Sequence, residues 1–267
     1  MLFDMLARVQ SALLQGIDAL PCEVEVDHDE VGLDKQTIVG LPDAAVRESL
    51  ERVRAALGNG GYAFPNGRTL INLAPAELRK EGPVYDLPIA VGLLIGQGLI
   101  PPGDVGLDHR RFLFAGELAL DGRLRPIRGA IALATLAAER GLDGVILPAE
   151  NGAEAAVAAS IDGRRSIEIF AVRTLAEVVG LLTGHLEPDP LPPVDVDSLI
   201  ASAPAPIDFA EVKGQEAVKR ALTVAAAGGH NILMLGPAGT GKTMMARALP
   251  GIMPPMSARE ALDVTRI

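Results

Sequence analysis

Eight residues, Gly-Pro-Ala-Gly-Thr-Gly-Lys-Thr at 236–243, constrain the fold of this chain more than any other stretch. An apolar run at 231–235 precedes them directly, and a run with helical character at 243–249 follows, stopped by Pro250. Glycines at this spacing let successive backbone N–H groups point into one concavity, where they can meet phosphate oxygens. The pattern therefore predicts a buried strand, a phosphate-binding loop and a helix, in that order.

Each residue of the loop takes a role in this prediction. Lys242 is the catalytic candidate, because its ammonium would reach the β and γ phosphates, and the Thr243 hydroxyl would coordinate Mg²⁺. The remaining residues shape the backbone that would surround the nucleotide, and they are Gly236, Pro237, Ala238, Gly239, Thr240 and Gly241. The predicted cofactors are ATP and Mg²⁺.

Composition limits the class of protein. The 267 residues are 49% hydrophobic but only 3% aromatic, so the core must be built from Ala, Val, Leu and Ile. A net charge of -10 gives no overall basic footprint for nucleic acid, although a local patch or an oligomeric pore stays open. The single cysteine, Cys22, cannot form an intrachain disulfide, and this fits a reducing cytoplasm.

Neither targeting nor membrane segments are expected. The first residues lack a basic stretch followed by a long apolar one, which a signal peptide requires. The most apolar run, residues 86–100, contains Pro88 and three glycines and falls short of the ~18 continuous apolar residues of a membrane span. It predicts a buried helix instead.

The order of apolar periods predicts a mixed α/β domain over residues 1–185. Strands are expected at 9–14, 22–26, 36–39, 69–73, 112–118, 145–147 and 166–172, and helices at 43–57, 86–100, 127–141 and 175–182. Prolines punctuate residues 186–206, which predicts a semi-extended linker; a long loop within one domain is the alternative. Residues 207–267 form the second domain, with a helix at 215–227 before the loop.

Several segments resemble a known family. Residues 209–222, 230–246 and 249–256 are similar to the opening of a magnesium-chelatase-type AAA+ module. Residues 38–48, 72–82 and 86–90 resemble the domain that precedes this module in the ComM/YifB proteins. The resemblance covers essentially the whole chain, so no single segment has to carry it.

This resemblance implies a ring-forming ATPase, expected as a hexamer, that acts as a DNA motor or helicase in branch migration during natural transformation and recombination. It also places Val212 and Gly214 near the adenine; the alternative for Val212 is an ordinary core position. The family's acidic strand end, sensor and arginine finger find no counterpart before Ile267. The chain is therefore expected to be C-terminally shortened, with no appreciable ATP turnover by itself.

Two other functions stay open. One is the ATPase subunit of a metal-chelatase complex, against which the preceding domain argues. The other is a non-catalytic assembly protein whose ATP site only sets conformation.

The first domain also resembles the proteolytic domain of Lon, through residues 80–83, 116–127 and 141–151. Lon enzymes use a serine nucleophile with a lysine base, and the chemistry needs both. Val84 stands at the nucleophile position and Leu133 at the lysine position. The domain is therefore predicted to be non-proteolytic, with a role in subunit or partner contacts.

Arginines recur in the same domain and raise the question of a local DNA surface. The alternative is that they are ordinary solvated side chains of an acidic protein. They are Arg110, Arg111, Arg123, Arg125, Arg128, Arg164 and Arg165.

Overall fold

A computed structural model describes residues 6–29, 34–101, 103, 105–160, 167–202 and 207–265. The chain divides into two compact units, Met1–Val194 and Asp195–Val264, and the division falls inside the predicted linker. Within that linker, residues up to 194 bind to the first unit. The Leu191 N–H donates to the Ile169 carbonyl at 2.8 Å, and the Val194 N–H donates to the Ser160 hydroxyl at 2.8 Å.

The first unit alternates strands and helices, as the periodicity predicts. Its strands are β1 (Ala7–Gln15), β2 (Asp18–Asp29), β3 (Lys35–Val39), β4 (Arg68–Ala74), β5 (Phe112–Phe114), β6 (Glu117–Leu118), β7 (Leu124–Arg125), β8 (Gly144–Pro148) and β9 (Glu168–Val172). Its helices are α1 (Ala44–Asn59), α2 (Asp86–Gly96), α3 (Ala130–Glu139), α4 (Gly152–Ala159) and α5 (Leu175–Thr183).

Seven of these strands form one sheet in the order β3-β4-β2-β1-β5-β8-β9. The β1–β2 and β2–β4 pairs are antiparallel, whereas β3–β4, β1–β5, β5–β8 and β8–β9 are parallel. Strands β6 and β7 form a separate antiparallel pair. The predicted mixed α/β class is confirmed.

In strand β2, apolar and acidic residues alternate, so that the apolar side chains face the core. Cys22, Val24 and Val26 are at most 1% exposed, while Glu23 and Glu25 point away from the core. Burial raises the pKa of the Cys22 thiol to about 12, so this cysteine behaves as a small apolar residue.

Helix α1 begins where its predicted cap stands. The Asp43 carboxylate accepts the Val46 N–H at 2.8 Å and, with its other oxygen, the Gly82 N–H at 3.2 Å. This second bond ties the helix start to the chain just before α2. The buried stripe of α1 includes Val46, Val53 and Leu57.

Helix α2 confirms the prediction of a buried helix, since every residue from Asp86 to Ile95 is buried. Asp86 is 0% exposed and accepts two hydrogen bonds from Arg52, at 2.7 and 3.0 Å, and one from the Leu118 N–H at 3.1 Å. The hydrogen bond to Asp86 raises the pKa of Arg52, so the arginine stays charged. One ion pair therefore connects α1, α2 and β6.

Other predicted elements of the first unit differ in extent from the observed ones, and helix α2, expected over residues 86–100, ends at Gly96. The strand at 112–118 is broken after Phe114, because the Gly116 N–H leaves the partner strand β8 and donates to the Val84 carbonyl at 3.0 Å. The helix predicted from residue 127 begins at Ala130, because Asn151 binds both the N–H and the carbonyl of Ile127. Helix α4 was not predicted.

The second unit contains α6 (Val196–Ser202), α7 (Glu216–Gly228), α8 (Lys242–Ala248) and the start of α9 (Ala258–Thr265). The strand predicted at 231–235 is wrong: these residues form no strand in the structure. A strand needs a neighbour for its backbone groups, and the described part of this unit supplies none. Leu233 and Leu235 are accordingly 81% and 84% exposed.

Across the described ranges, no helix combines the length and the apolarity that crossing a membrane would demand.

Candidate nucleotide-binding loop

The candidate loop runs from Gly236 into the first turn of α8. Gly239 and Gly241 have φ values of +82° and +83°, which L side chains rarely adopt. No atom lies within 4 Å of where a Cβ would stand at either position. Backbone conformation, rather than crowding, therefore requires glycine at these two positions.

Lys242 folds back over the loop that precedes it. Its ammonium donates to the carbonyls of Gly236 at 2.8 Å and Pro237 at 2.6 Å, and to the Thr240 hydroxyl at 3.3 Å. The Thr240 hydroxyl in turn donates to the Pro237 carbonyl at 3.0 Å. The structure thus brings together four of the residues that the sequence assigns to the site, around a positive charge.

The other residues assigned to the loop lie at the surface. Ala238 and Thr243 are exposed, and Thr243 stands in the first turn of α8 beside Lys242. Its hydroxyl has no protein partner among the described residues, so it is available to a ligand. A solvent-accessible loop with a convergent ammonium and a free hydroxyl can hold an anion with its counter-cation.

A small core anchors α8 behind the loop. Met245 and Ala248 are 4% and 0% exposed and pack with Leu222 of α7 and with Val212. Val212 is itself only 4% exposed, which is the core position named above as the alternative. Gly214 is exposed with a φ of +66°. Adenine contact by either residue stays a prediction.

A capping box that was not predicted from the sequence fixes the turn just before Val212. The Asp208 carboxylate accepts the Ala210 N–H at 2.8 Å, while the Asp208 N–H donates to the Glu211 carboxylate at 3.2 Å. This reciprocal capping box was visible in the sequence as an acidic cap followed three residues later by glutamate.

The protease-like half has a cavity of about 550 Å³ around the position where Lon carries its nucleophile. Its lining consists of Leu13, Leu14, Asp43, Glu81, Gly82, Pro83, Val84, Glu117, Pro126, Ile127 and Arg128. None of these side chains is a serine or a lysine. Leu133 is buried, and the nearby Lys80 is 0% exposed with its ammonium donating to the Pro75 carbonyl. The described lining therefore offers no nucleophile–base pair.

Comparison with known proteins shows the same two halves. The family model described as "Subunit ChlI of Mg-chelatase" matches residues 24–151, and the one described as "Magnesium chelatase, subunit ChlI" matches residues 208–267. The uncharacterized protein YifB of Salmonella typhimurium is 43% identical over 263 residues, and the competence protein ComM of Haemophilus influenzae is 39% identical over 264. Each alignment covers 98% of this chain.

Over nearly its whole length this chain is similar to the ComM and YifB proteins. It spans about half the length of these curated relatives, since the alignments cover 49% of each. Lon protease 2 of Bacillus subtilis is 29% identical over 154 residues, which are 55% of this chain and 26% of that protein. This partial similarity fits the mixed α/β class of the first unit. The assignment of a Lon-protease-like domain followed by an AAA+ domain stays a prediction.

Proposed function

We propose that residues 236–243 bind ATP with Mg²⁺, and that this chain is the first half of an ATP-driven DNA motor of the ComM type. The observation that carries the proposal is the Lys242 ammonium held over the loop by the Gly236 and Pro237 carbonyls. ChlI subunits of Mg-chelatase are AAA+ ATPases, which supports nucleotide use in this family.

In the proposed chemistry, triphosphate oxygens replace the two carbonyls as partners of Lys242. The ammonium would neutralise charge on the β and γ phosphates, and Thr243 would supply one oxygen ligand to Mg²⁺. Groups that position the attacking water would come from other parts of the protein. We therefore propose binding, without appreciable turnover, for the chain by itself.

The motor function rests on the relatives and concerns a protein of their full length. We propose a cytoplasmic homo-oligomeric ring, a hexamer, that couples ATP hydrolysis to movement of DNA branches. Support comes from the competence protein ComM, which aligns along both halves of this chain. The Mg-chelatase models match in two pieces and favour a chelatase subunit as the second candidate.

A steady-state ATPase assay tests the proposal on a chain extended to the relatives' length. For the motor, we expect hexamers whose rate of ATP hydrolysis rises when branched DNA is added. In Lys242→Ala this rate should fall at least about 100-fold. The matched control is Lys219→Ala, which removes a lysine of α7 whose ammonium lies 3.6 Å from the Glu216 carboxylate. Stimulation by a chelatase partner instead of DNA would favour the second candidate.

For the 267-residue chain, the same assay should give no appreciable rate. Turnover by this chain that disappears in Lys242→Ala would show that the loop hydrolyses ATP without the rest of the protein, and would refute that part of the proposal.

A further inference from the structure

The structure separates the arginines of the first unit into unlike groups. The Arg110 guanidinium is bound by both oxygens of Asp108, at 2.8 and 2.9 Å, and Arg111 is bound by both oxygens of Asp143. These two arginines are already committed to carboxylates. Residues 164–165 lie outside the described residues.

Arg123 and Arg125 are arranged differently, because they meet a third arginine from elsewhere in the sequence. Together with Arg173 they line a surface pocket of about 310 Å³, which we call the arginine pocket. Glu150 is the one carboxylate in its lining, and the remaining lining residues are Ala119, Leu124 and Pro126. The volume lies at the lower end of the range of about 300–1,000 Å³ that is usual for small-ligand sites.

Backbone hydrogen bonds hold the three arginines in place. The Ala119 N–H donates to the Arg123 carbonyl at 2.9 Å, and Arg125 pairs with Glu117 across the β6–β7 ladder. The Leu124 N–H donates to the Arg173 carbonyl at 2.7 Å, which joins β7 to the chain after β9. The fold itself therefore brings Arg173 beside Arg123 and Arg125, which lie before and within β7.

The arginine charges are only weakly compensated. Arg123 binds Asp121 at 2.7 Å, but the two side chains are 72% and 53% exposed, and Arg125 lies 3.4 Å from Glu117. Exposed ion pairs of this kind contribute about 0–1 kcal/mol, so a stronger anion can displace them. The Arg173 side chain makes no ion pair with any described residue.

We infer that the arginine pocket binds a phosphate group, carried either by a nucleic-acid backbone or by a free polyphosphate. Guanidinium groups present planar pairs of N–H donors that match phosphate oxygens, and several of them on one pocket favour a multiply charged anion. The assignment goes beyond the proposed function, because it concerns a different unit from residues 236–243 and needs no ATP there.

The test is a titration of fluorescein-labelled dT20, followed by anisotropy at several KCl concentrations. The whole chain is used in a Lys242→Ala background, which removes the loop lysine from the measurement. The charge-reversed pair Arg125→Glu/Arg173→Glu is compared with Arg47→Glu/Arg140→Glu, which makes the same charge change at exposed positions outside the pocket lining. Circular dichroism checks that both pairs remain folded.

We expect the pocket pair to weaken dT20 binding roughly tenfold or more, because two charge-assisted contacts become repulsive. The salt slope should fall by about 1.4, since each phosphate contact on a single strand contributes about 0.7. The control pair should retain most of the affinity. Calorimetric titration of inorganic tripolyphosphate alone tests whether the pocket binds a free polyphosphate.

The outcomes separate the possibilities. Binding of dT20 that depends on the pocket assigns a nucleic-acid phosphate, and pocket-dependent binding of tripolyphosphate alone assigns a free polyphosphate. Equal losses in the pocket and control pairs, or binding of neither probe, would overturn the inference. Nucleotide binding at residues 236–243 is measured separately with Lys242 intact, so either proposal can fail without the other.

Discussion

The two compact units bury apolar side chains to very different extents. In the first unit a seven-stranded sheet carries a core whose members include Val24, Leu73 and Phe114, each 0% exposed. Among the described residues of the second unit, the core cluster has four buried members, and Leu233 and Leu235 face outward. Regular strands form where neighbours in the described chain satisfy their backbone groups, and residues 231–235 have none.

The candidate loop nevertheless has definite internal contacts, because those contacts are short in sequence. Lys242 reaches the Gly236 carbonyl six positions earlier, and Thr240 reaches Pro237 three positions earlier. A local motif of this kind does not depend on a complete sheet, whereas a strand does. The loop can therefore hold its ligand-binding groups in place even in a unit with a small core.

The largest effect is expected from the buried ion pair of the first unit. Arg52→Ala leaves the fully buried Asp86 without its partner, and such a loss typically costs about 3–5 kcal/mol of unfolding free energy. Urea unfolding followed by circular dichroism measures it. Arg47→Ala, an exposed neighbour on α1, is the control and should change the free energy by less than about 0.5 kcal/mol. Equal effects would show that the pair does not support the core.

A matched leucine pair tests the contrast between the units directly. Leu73→Ala removes a side chain that is 0% exposed and should lower the unfolding free energy of the first unit by about 2–5 kcal/mol. Leu235→Ala removes one that is 84% exposed and should change stability by less than about 0.5 kcal/mol. A large loss from Leu235→Ala would mean that residues 231–235 are buried in solution.

The start of α1 should show an intermediate effect. Asp43→Ala removes the acceptor of the Val46 and Gly82 N–H groups and should cost about 1 kcal/mol, in the range of about 0.5–2 for such caps. Asp43→Asn keeps an acceptor oxygen and should cost less. Urea midpoints of the two variants give the comparison, and an Asn variant as unstable as the Ala variant would contradict the capping role.

His109 provides the smallest effect and a pH dependence. Burial lowers its pKa from 6.5, and its Nδ1 atom finds no hydrogen-bond partner among the residues that the structure describes. As pH falls below 6.5, the imidazole of the unfolded chain takes up a proton before that of the folded chain, so the unfolding free energy decreases. His109→Gln should remove this part of the pH profile. An unchanged profile between pH 7 and pH 5 would show that another group is responsible.

The sequence predicted most of the first unit because its elements carry local signals. Alternation in β2, the Asp43 cap and the continuous apolar run of α2 each depend on neighbouring residues. The break after Phe114 and the late start of α3 were not predictable, because they follow from contacts with Val84 and Asn151, which are distant in sequence.

The candidate site shows the same division. Gly239, Gly241 and Lys242 were identified from spacing alone; the structure gives both glycines positive φ values and folds the Lys242 ammonium onto the Gly236 carbonyl. Nucleotide binding by these residues stays a prediction. The strand before the loop was predicted from its apolar residues, but apolar character does not supply a neighbouring strand. The convergence of Arg173 with Arg123 and Arg125 depends on tertiary structure and has no signal in the spacing.

The central claim is that residues 236–243 bind Mg–ATP through Lys242, and calorimetric titration of ATP into this chain tests it most directly. ATP binding is expected to weaken at least about tenfold in Lys242→Ala, because the phosphates lose the Lys242 ammonium. Thr243→Val should lose the dependence of affinity on Mg²⁺, and Lys219→Ala should match the unchanged chain. Unaltered ATP affinity in Lys242→Ala would contradict the account.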